Sequence, residues 1–280
     1  MRKIIIVSFV IFNAVLLLAQ PESISKYNVV WKSPSTDASG QMPLGNGDIA
    51  AGVYAIENDA LYLLLSKNDA FTYNGDIFKT GRVRIEISPN PFAPGKKFKQ
   101  ILDMQTGSIR IETDGVEIRV WADANRPVYH IQVEADDKID VTAEPEFWKR
   151  TDGSPWNITN EPIENPTQDV LVERKNSIVW YFAVGDRSVY PTEMKFYGVE
   201  EMIHDYPDPY RFNTFGNLLE SPDMTHNGGL NSGTRAGSRF LITHCHLLKE
   251  SNLTEKDIKH TVTRRTVEHL WRKITMCSAT

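Results

Sequence analysis

Residues 98–135 read FKQILDMQTGSIRIETDGVEIRVWADANRPVYHIQVEA, and this stretch decides the fold class. Apolar and polar residues alternate along 108–113, 116–122 and 128–135. Successive side chains of a strand point to opposite faces, so such alternation sets one face on a core and the other in water. Gln105-Thr106-Gly107 and Asp114-Gly115 interrupt the alternation as turns. Asp114-Gly115 predicts a type I′ hairpin, because both central positions of that turn take φ > 0. With Phe98–Met104 in front, the segment is an antiparallel four-strand meander.

The same period continues outward. Arg82, Arg84 and Glu86 alternate with Val83, Ile85 and Ile87, and 49–56 and 60–66 flank a hairpin-like Glu57-Asn58-Asp59. Residues 139–143 and 177–184 add further strands. Helical periodicity is nearly absent before the C-terminal part, which excludes parallel α/β architectures. The predicted fold is mainly β: a large antiparallel β-sandwich with a short C-terminal helical tail. Residues 147–166 hold Trp148, Trp156 and three prolines and read as a long loop, and 205–223 is a second irregular stretch. From 224 onward the composition changes. Gly228, Gly229, Gly233 and Gly237 suggest a linker, and 240–248 a last strand. Beyond Thr254, Ile258, Val262, Val267, Leu270, Trp271 and Ile274 fall at helical spacing on one face. Arg264, Arg265, Arg272 and Lys273 lie around the rest of that helix. The domain layout is therefore 1–19 signal peptide, 27–223 β domain, and 224–280 linker, strand and one helix.

Arg2 and Lys3 precede an apolar run from Ile4 to Leu18, followed by Ala19-Gln20-Pro21. That is the layout of a secretory signal peptide cut after Ala19, and it predicts a secreted or periplasmic protein with no membrane span after cleavage. A net charge of −5 argues against a nucleic-acid partner, which wants a basic surface. The two cysteines, Cys245 and Cys277, do not make a disulfide framework.

Nucleophile-elbow, phosphate-loop, dinucleotide and zinc-protease signatures are absent from the sequence. His244-Cys245-His246 is the nearest approach to a metal cluster, but no third ligand is identifiable; neither metal nor cofactor is predicted. Glu144 and Glu146 stand two apart beside Trp148, and glycoside hydrolysis uses two carboxylates across one bond. A solvated loop explains the same pair. Met42-Pro43-Leu44-Gly45-Asn46-Gly47-Asp48 is more particular: glycines flank an amide just before an apolar strand. Ser66-Lys67-Asn68-Asp69 ends the partner strand and sets a second amide and a carboxylate beside it. Asn46, Asn68 and Asp69 are candidate contacts to hydroxyl groups, with Trp148 and Trp156 as candidate sugar-stacking platforms.

The segments 42–48 and Leu61-Tyr-Leu-Leu-Leu-Ser-Lys-Asn-Asp69 resemble the opening of family 95 glycoside hydrolases, the α-L-fucosidase-like enzymes. Leu102-Asp103-Met104, Gly115, Arg119-Val-Trp121 and Val128 fall where that family's sandwich carries similar elements. Gly81-Arg-Val-Arg84, Ser88-Pro-Asn-Pro-Phe92 and 208–216 resemble more closely the N-terminal part of the group called domain of unknown function 5703. The resemblance implies a β-supersandwich that in full-length relatives precedes a catalytic (α/α)6 barrel. It implies that the sandwich itself is non-catalytic, and that Asn46, Asn68 and Asp69 face the barrel or a glycan or polysaccharide. It also implies a chain truncated or frame-altered before the barrel. Two other readings stand beside it: a stand-alone carbohydrate-binding module, and a small complete glycosidase using Glu144 or Glu146.

Overall fold

A computed structural model describes residues 24–71, 77–146, 170–183, 188–211, 214–233 and 240–247. The predicted signal peptide, the C-terminal helix and the Trp148–Trp156 loop lie outside the described residues. The strands are β1 (Val29–Trp31), β2 (Met42–Gly45), β3 (Ile49–Ala55), β4 (Leu61–Phe71), β5 (Ile77–Ser88), β6 (Phe98–Asp103), β7 (Ser108–Thr113) and β8 (Val116–Ala122). They continue as β9 (Val128–Ala135), β10 (Asp140–Glu146), β11 (Val170–Arg174), β12 (Ser177–Ala183), β13 (Thr214–Glu220), β14 (Thr225–His226), β15 (Leu230–Asn231) and β16 (Phe240–Leu247). The α-helix found among the described residues is α1 (Tyr190–Phe196).

Two antiparallel sheets result. One has nine strands in the order β1-β6-β7-β8-β9-β16-β13-β12-β11, the other seven in the order β14-β15-β10-β5-β4-β3-β2. The alternation read from the sequence is their inner faces. Val53, Leu61, Leu63, Leu65, Val83, Ile85 and Val141 of the seven-stranded sheet share one buried core with Ile109, Ile111, Ile118, Val120, Ile131 and Val133 of the other. This is the sandwich-like arrangement of two half-wet sheets burying their apolar faces together.

Among the described residues several polar ties cross between the sheets, three of them through Gln100, Thr80 and Asn46. Buried Gln100 on β6 donates from Nε2 to the carbonyl of Val53 on β3 at 3.1 Å. Trp180 Nε1 and Asn217 Nδ2 both donate to the carbonyl of Thr80, at 3.0 and 2.8 Å. Gly81, next in the chain, has φ +141°, and a Cβ placed there would lie 2.7 Å from Trp180 Nε1. Only a residue without a side chain lets the indole reach Thr80. The third tie, through Asn46, belongs to the site described below.

Several expectations change. The 113–116 hairpin forms, but it is not type I′: Gly115 is at φ 80° and Asp114 is not left-handed. The Asp114 carboxylate instead accepts from the Lys97 amide at 3.0 Å. Residues 214–220, read as irregular, are a fully paired strand between β12 and β16. Residues beyond 223 continue both sheets. Gly228 sits at left-handed φ in the bend between β14 and β15, Gly233 follows β15 at φ 60°, and β16 lies in the middle of the nine-stranded sheet. The boundary at Asp223 therefore cuts through the sheets.

Candidate functional site

At one end of the two sheets, the turn after β2, the end of β4 and the β8–β9 turn converge. Asn46 is their hub. Its Nδ2 donates to the carbonyls of Asp123 (2.7 Å) and Arg126 (3.0 Å), and its Oδ1 accepts from the amides of Asp48 (3.0 Å) and Ile49 (3.1 Å). A primary amide offers two donor hydrogens and two lone pairs, so Asn46 is fully engaged within the chain. It holds the loops together and has no group left for a hydroxyl. The adjoining Gly47 at φ 95° lets the turn close.

β4 and β5 lose register between Ser66 and Phe71. That irregularity releases residues 67–69 from β5, and the Asn68 amide turns to the carbonyl of Asp48 at 3.0 Å. Lys67 keeps the inward parity of Leu61, Leu63 and Leu65. Its side chain is 3% exposed, and Nζ lies 2.6 Å from Asp48 Oδ1 and 2.8 Å from Asp69 Oδ1. Burial lowers the ammonium's pKa, but hydrogen bonds to Asp48 and Asp69 outweigh it and hold the group above the ordinary lysine value. Both carboxylates are about two-fifths exposed, at 41% and 42%. The Tyr129 phenol is buried near Asp48; burial and that charge push its pKa up. Asp123 takes Arg126 Nε and Nη2 on one oxygen at 2.9 and 2.7 Å. Those bonds and the Asn125 amide hold its carboxyl at about 2.

A cleft of about 410 Å³ opens beside this cluster, lined by Pro43, Gly45, Gly47, Asp48, Lys67 and Asn68 among others. The exposed Asn68 side chain donates from Nδ2 to the Gly47 carbonyl at 3.3 Å, a long bond. Of the five candidates read from the sequence, Asn46, Asn68 and Asp69 are brought to this end of the sheets, with Asn68 lining the cleft and Asn46 and Asp69 not, and Trp148 and Trp156 lie outside the described residues. Lys67 was missed, although period-two counting along β4 places it inward, in parity with Leu61, Leu63 and Leu65.

Glu144 and Glu146 lie on the outer face of the seven-stranded sheet, opposite Arg84 and Arg82. The Glu146 carboxylate is gripped by Arg82, with Nε and Nη2 each 2.5 Å from Oε2. Arg82 also covers the ring of Tyr62 at 4.4 Å and donates to Tyr54 Oη at 3.0 Å. Gly229 packs over Glu144: a Cβ there would lie 2.6 Å from Glu144 Cγ. Neither acid lines the 410 Å³ cleft or the 300 Å³ polar cleft around Asp59, Arg84 and Asp140. Among the described residues, no group of three or more His, Cys, Asp or Glu is placed to hold a metal ion. No helix among them is long and apolar enough to cross a membrane.

These features define a mainly antiparallel β protein whose loops build a braced, charged cleft at one end. The sequence matches the family model described as domain of unknown function (DUF5703), its N-terminal domain, over residues 30–276, and the chain belongs to that family. The match runs through the histidine- and cysteine-bearing tail, so the changed composition after 224 is part of the family's own sequence. No curated protein matches.

Proposed function

We propose that this chain is the non-catalytic β-supersandwich domain of an exported, glycoside-hydrolase-like protein that works on glycan or polysaccharide, as its resemblance to family 95 enzymes suggests. The braced cleft carries the reading. Its polar side chains, Asp48, Ser66, Lys67 and Asn68, converge from the turn after β2 and the end of β4, and the Asn46 hub and the Lys67 ion pairs fix them before any ligand arrives, which is what hydroxyl recognition requires. Export rests on the basic pair and apolar run of residues 2–18. A barrel, as in the resembled enzymes, would supply the catalytic acids. The sandwich's own pair is occupied, because Arg82 holds Glu146 and the turn at Gly229 covers Glu144.

Three carboxylates (Asp48, Asp69, Asp123) stand against Lys67 and Arg126 around the site. The excess negative charge favours neutral sugars over uronates or sulfated chains. Calorimetric titration of the purified chain with neutral and acidic oligosaccharides from plant and host polysaccharides tests this. Binding of a neutral glycan is expected, weakened about tenfold by Asn68→Ala with Asp48→Ala, two residues that line the cleft, through the loss of one or two hydrogen bonds. Turnover of aryl glycosides by the chain alone, or glycan binding untouched by that double variant, would overturn the proposal.

A further inference from the structure

Between β12 and β13 the chain leaves the sheet as an excursion over 188–211, containing α1 and a 3-10 turn, Glu200–His204. Neither helical piece contributes a buried residue. Instead the excursion exposes Phe196 (82%), Tyr197 (72%), Tyr206 (58%) and Met202 (39%). Phe196 and Tyr197 meet edge to face with ring centres 5.2 Å apart. The platform is braced from within. Tyr190 Oη donates to the Tyr206 carbonyl at 2.7 Å, Ser188 bonds Asp208, and the Val199 amide reaches the Met194 carbonyl at 2.9 Å. A preformed cluster of large apolar side chains turned to water marks a surface that something covers.

The topology says what is at hand to cover it. The excursion leaves from Ala183 and returns at Thr214, which pair with each other. β16 runs antiparallel to β13 and ends at Leu247, opposite Gly216. The residues after Leu247 therefore start within two positions of the excursion's return. Their sequence suits it. Apolar residues from Ile258 to Ile274 fall at helical spacing, and across 254–274 Lys256, Lys259, Arg264, Arg265, Arg272 and Lys273 outnumber Glu255, Asp257 and Glu268. The excursion carries the opposite balance: Glu193, Glu200, Glu201, Asp205 and Asp208 against Lys195 and Arg211. Residues 147–169 also arrive at this end, since β11 starts at Val170 opposite Tyr181. That segment has Asp152, Glu161, Glu164 and Asp169 against Lys149 and Arg150, so its net charge repels the excursion. The acidic rim likewise disfavours an anionic membrane surface.

We infer that the excursion is the docking face for the basic, amphipathic segment 254–274 of this same chain, with Phe196, Tyr197 and Tyr206 taking its apolar stripe.

Limited trypsin digestion of the full chain, with cut sites mapped by mass spectrometry, tests the inference. Cleavage after Arg264 and Arg265 should be slow in the wild type. Phe196→Ser with Tyr197→Ser should speed it about tenfold while cuts elsewhere keep their rates, because proteolysis follows the open population. Both residues are exposed, so the variant keeps its core. The reciprocal change, Leu270→Ser with Trp271→Ser, should raise deuterium uptake of the amides in 193–206. Tail cleavage equal in wild type and the first variant, or uptake unmoved in the second, overturns the inference. Two further results also overturn it if tail cleavage is unmoved. One is a wild-type dimer that the first variant makes monomeric, which assigns the face to a second copy. The other is a glycan or vesicle retained by the wild type and lost by that variant.

Discussion

Lys67 shows how a single side chain can organise an end of the fold. Burying an ammonium is costly unless it is paired, and here two carboxylates meet it, Asp48 from the turn before β3 and Asp69 from its own strand β4. Replacing it with Met removes both charge-assisted bonds and leaves Asp48 and Asp69 facing one another. Each carboxylate is partly in water and can re-solvate, so the penalty stays below that of a fully buried orphan charge. We expect Lys67→Met to lower unfolding free energy by about 1–3 kcal/mol. Asp69→Asn, which keeps one ion pair, should cost under about 1 kcal/mol. Urea denaturation checks both, and a Lys67→Met variant as stable as the wild type would remove the cluster from the account. The sequence made Asn46 conspicuous through its flanking glycines but did not give its role. An amide that binds a ligand and one that ties two loops look alike until the partners 77 and 80 residues away are seen. Lys67 was legible in principle through its parity with Leu61, Leu63 and Leu65. Asp48 and Asp69 could not be recognised as its partners without the β3–β4 register.

At the scale of elements, legibility followed burial pattern. β7, β8 and β9 have one wet face, and their alternation announces them. β13 has none of this: Phe215, Asn217, Leu218 and Leu219 are all buried, so both faces look alike in the sequence and the period vanishes. α1 is too short to show a helical period and has no side-chain N-cap. The β5–β12 junction makes a sharp test of packing. Gly81 leaves room for Trp180, whose indole, with Asn217, satisfies the buried carbonyl of Thr80. Gly81→Ala puts a methyl 2.7 Å from Nε1 at a backbone angle that L side chains rarely adopt. The indole must withdraw, and the variant should lose about 2–4 kcal/mol through strain together with a lost buried hydrogen bond. The midpoint of a chemical denaturation curve measures this, and a shift within the error of the wild-type value would contradict the packing described.

For the whole molecule, β16 is the keystone of the nine-stranded sheet. On one side it pairs residues 240–245 with Val128–Val133 of β9, and on the other residues 243–247 with Gly216–Glu220 of β13. Without it, the meander β6–β9 and the block β11–β13 are separate pieces, each with a bare inner edge. Buried strand edges leave unpaired amides and carbonyls and offer a template for aggregation. The core spans both sheets, and Ile178, Trp180 and Leu219 of the block belong to the same buried cluster as Ile118 and Ile131 of the meander. Loss of the central strand should therefore disrupt both halves together rather than trim one. A chain stopped before Phe240 should fail to refold to a soluble monomer. A chain stopped after Leu247 keeps every strand pairing found among the described residues and should refold, unfolding in one cooperative step as a single core does. Refolding yield by light scattering and the coincidence of fluorescence and circular dichroism transitions distinguish the two. If the shorter chain were a stable, cooperatively folded monomer, the block β11–β13 would have to close against the meander without β16, and the strand order described here would not govern the fold.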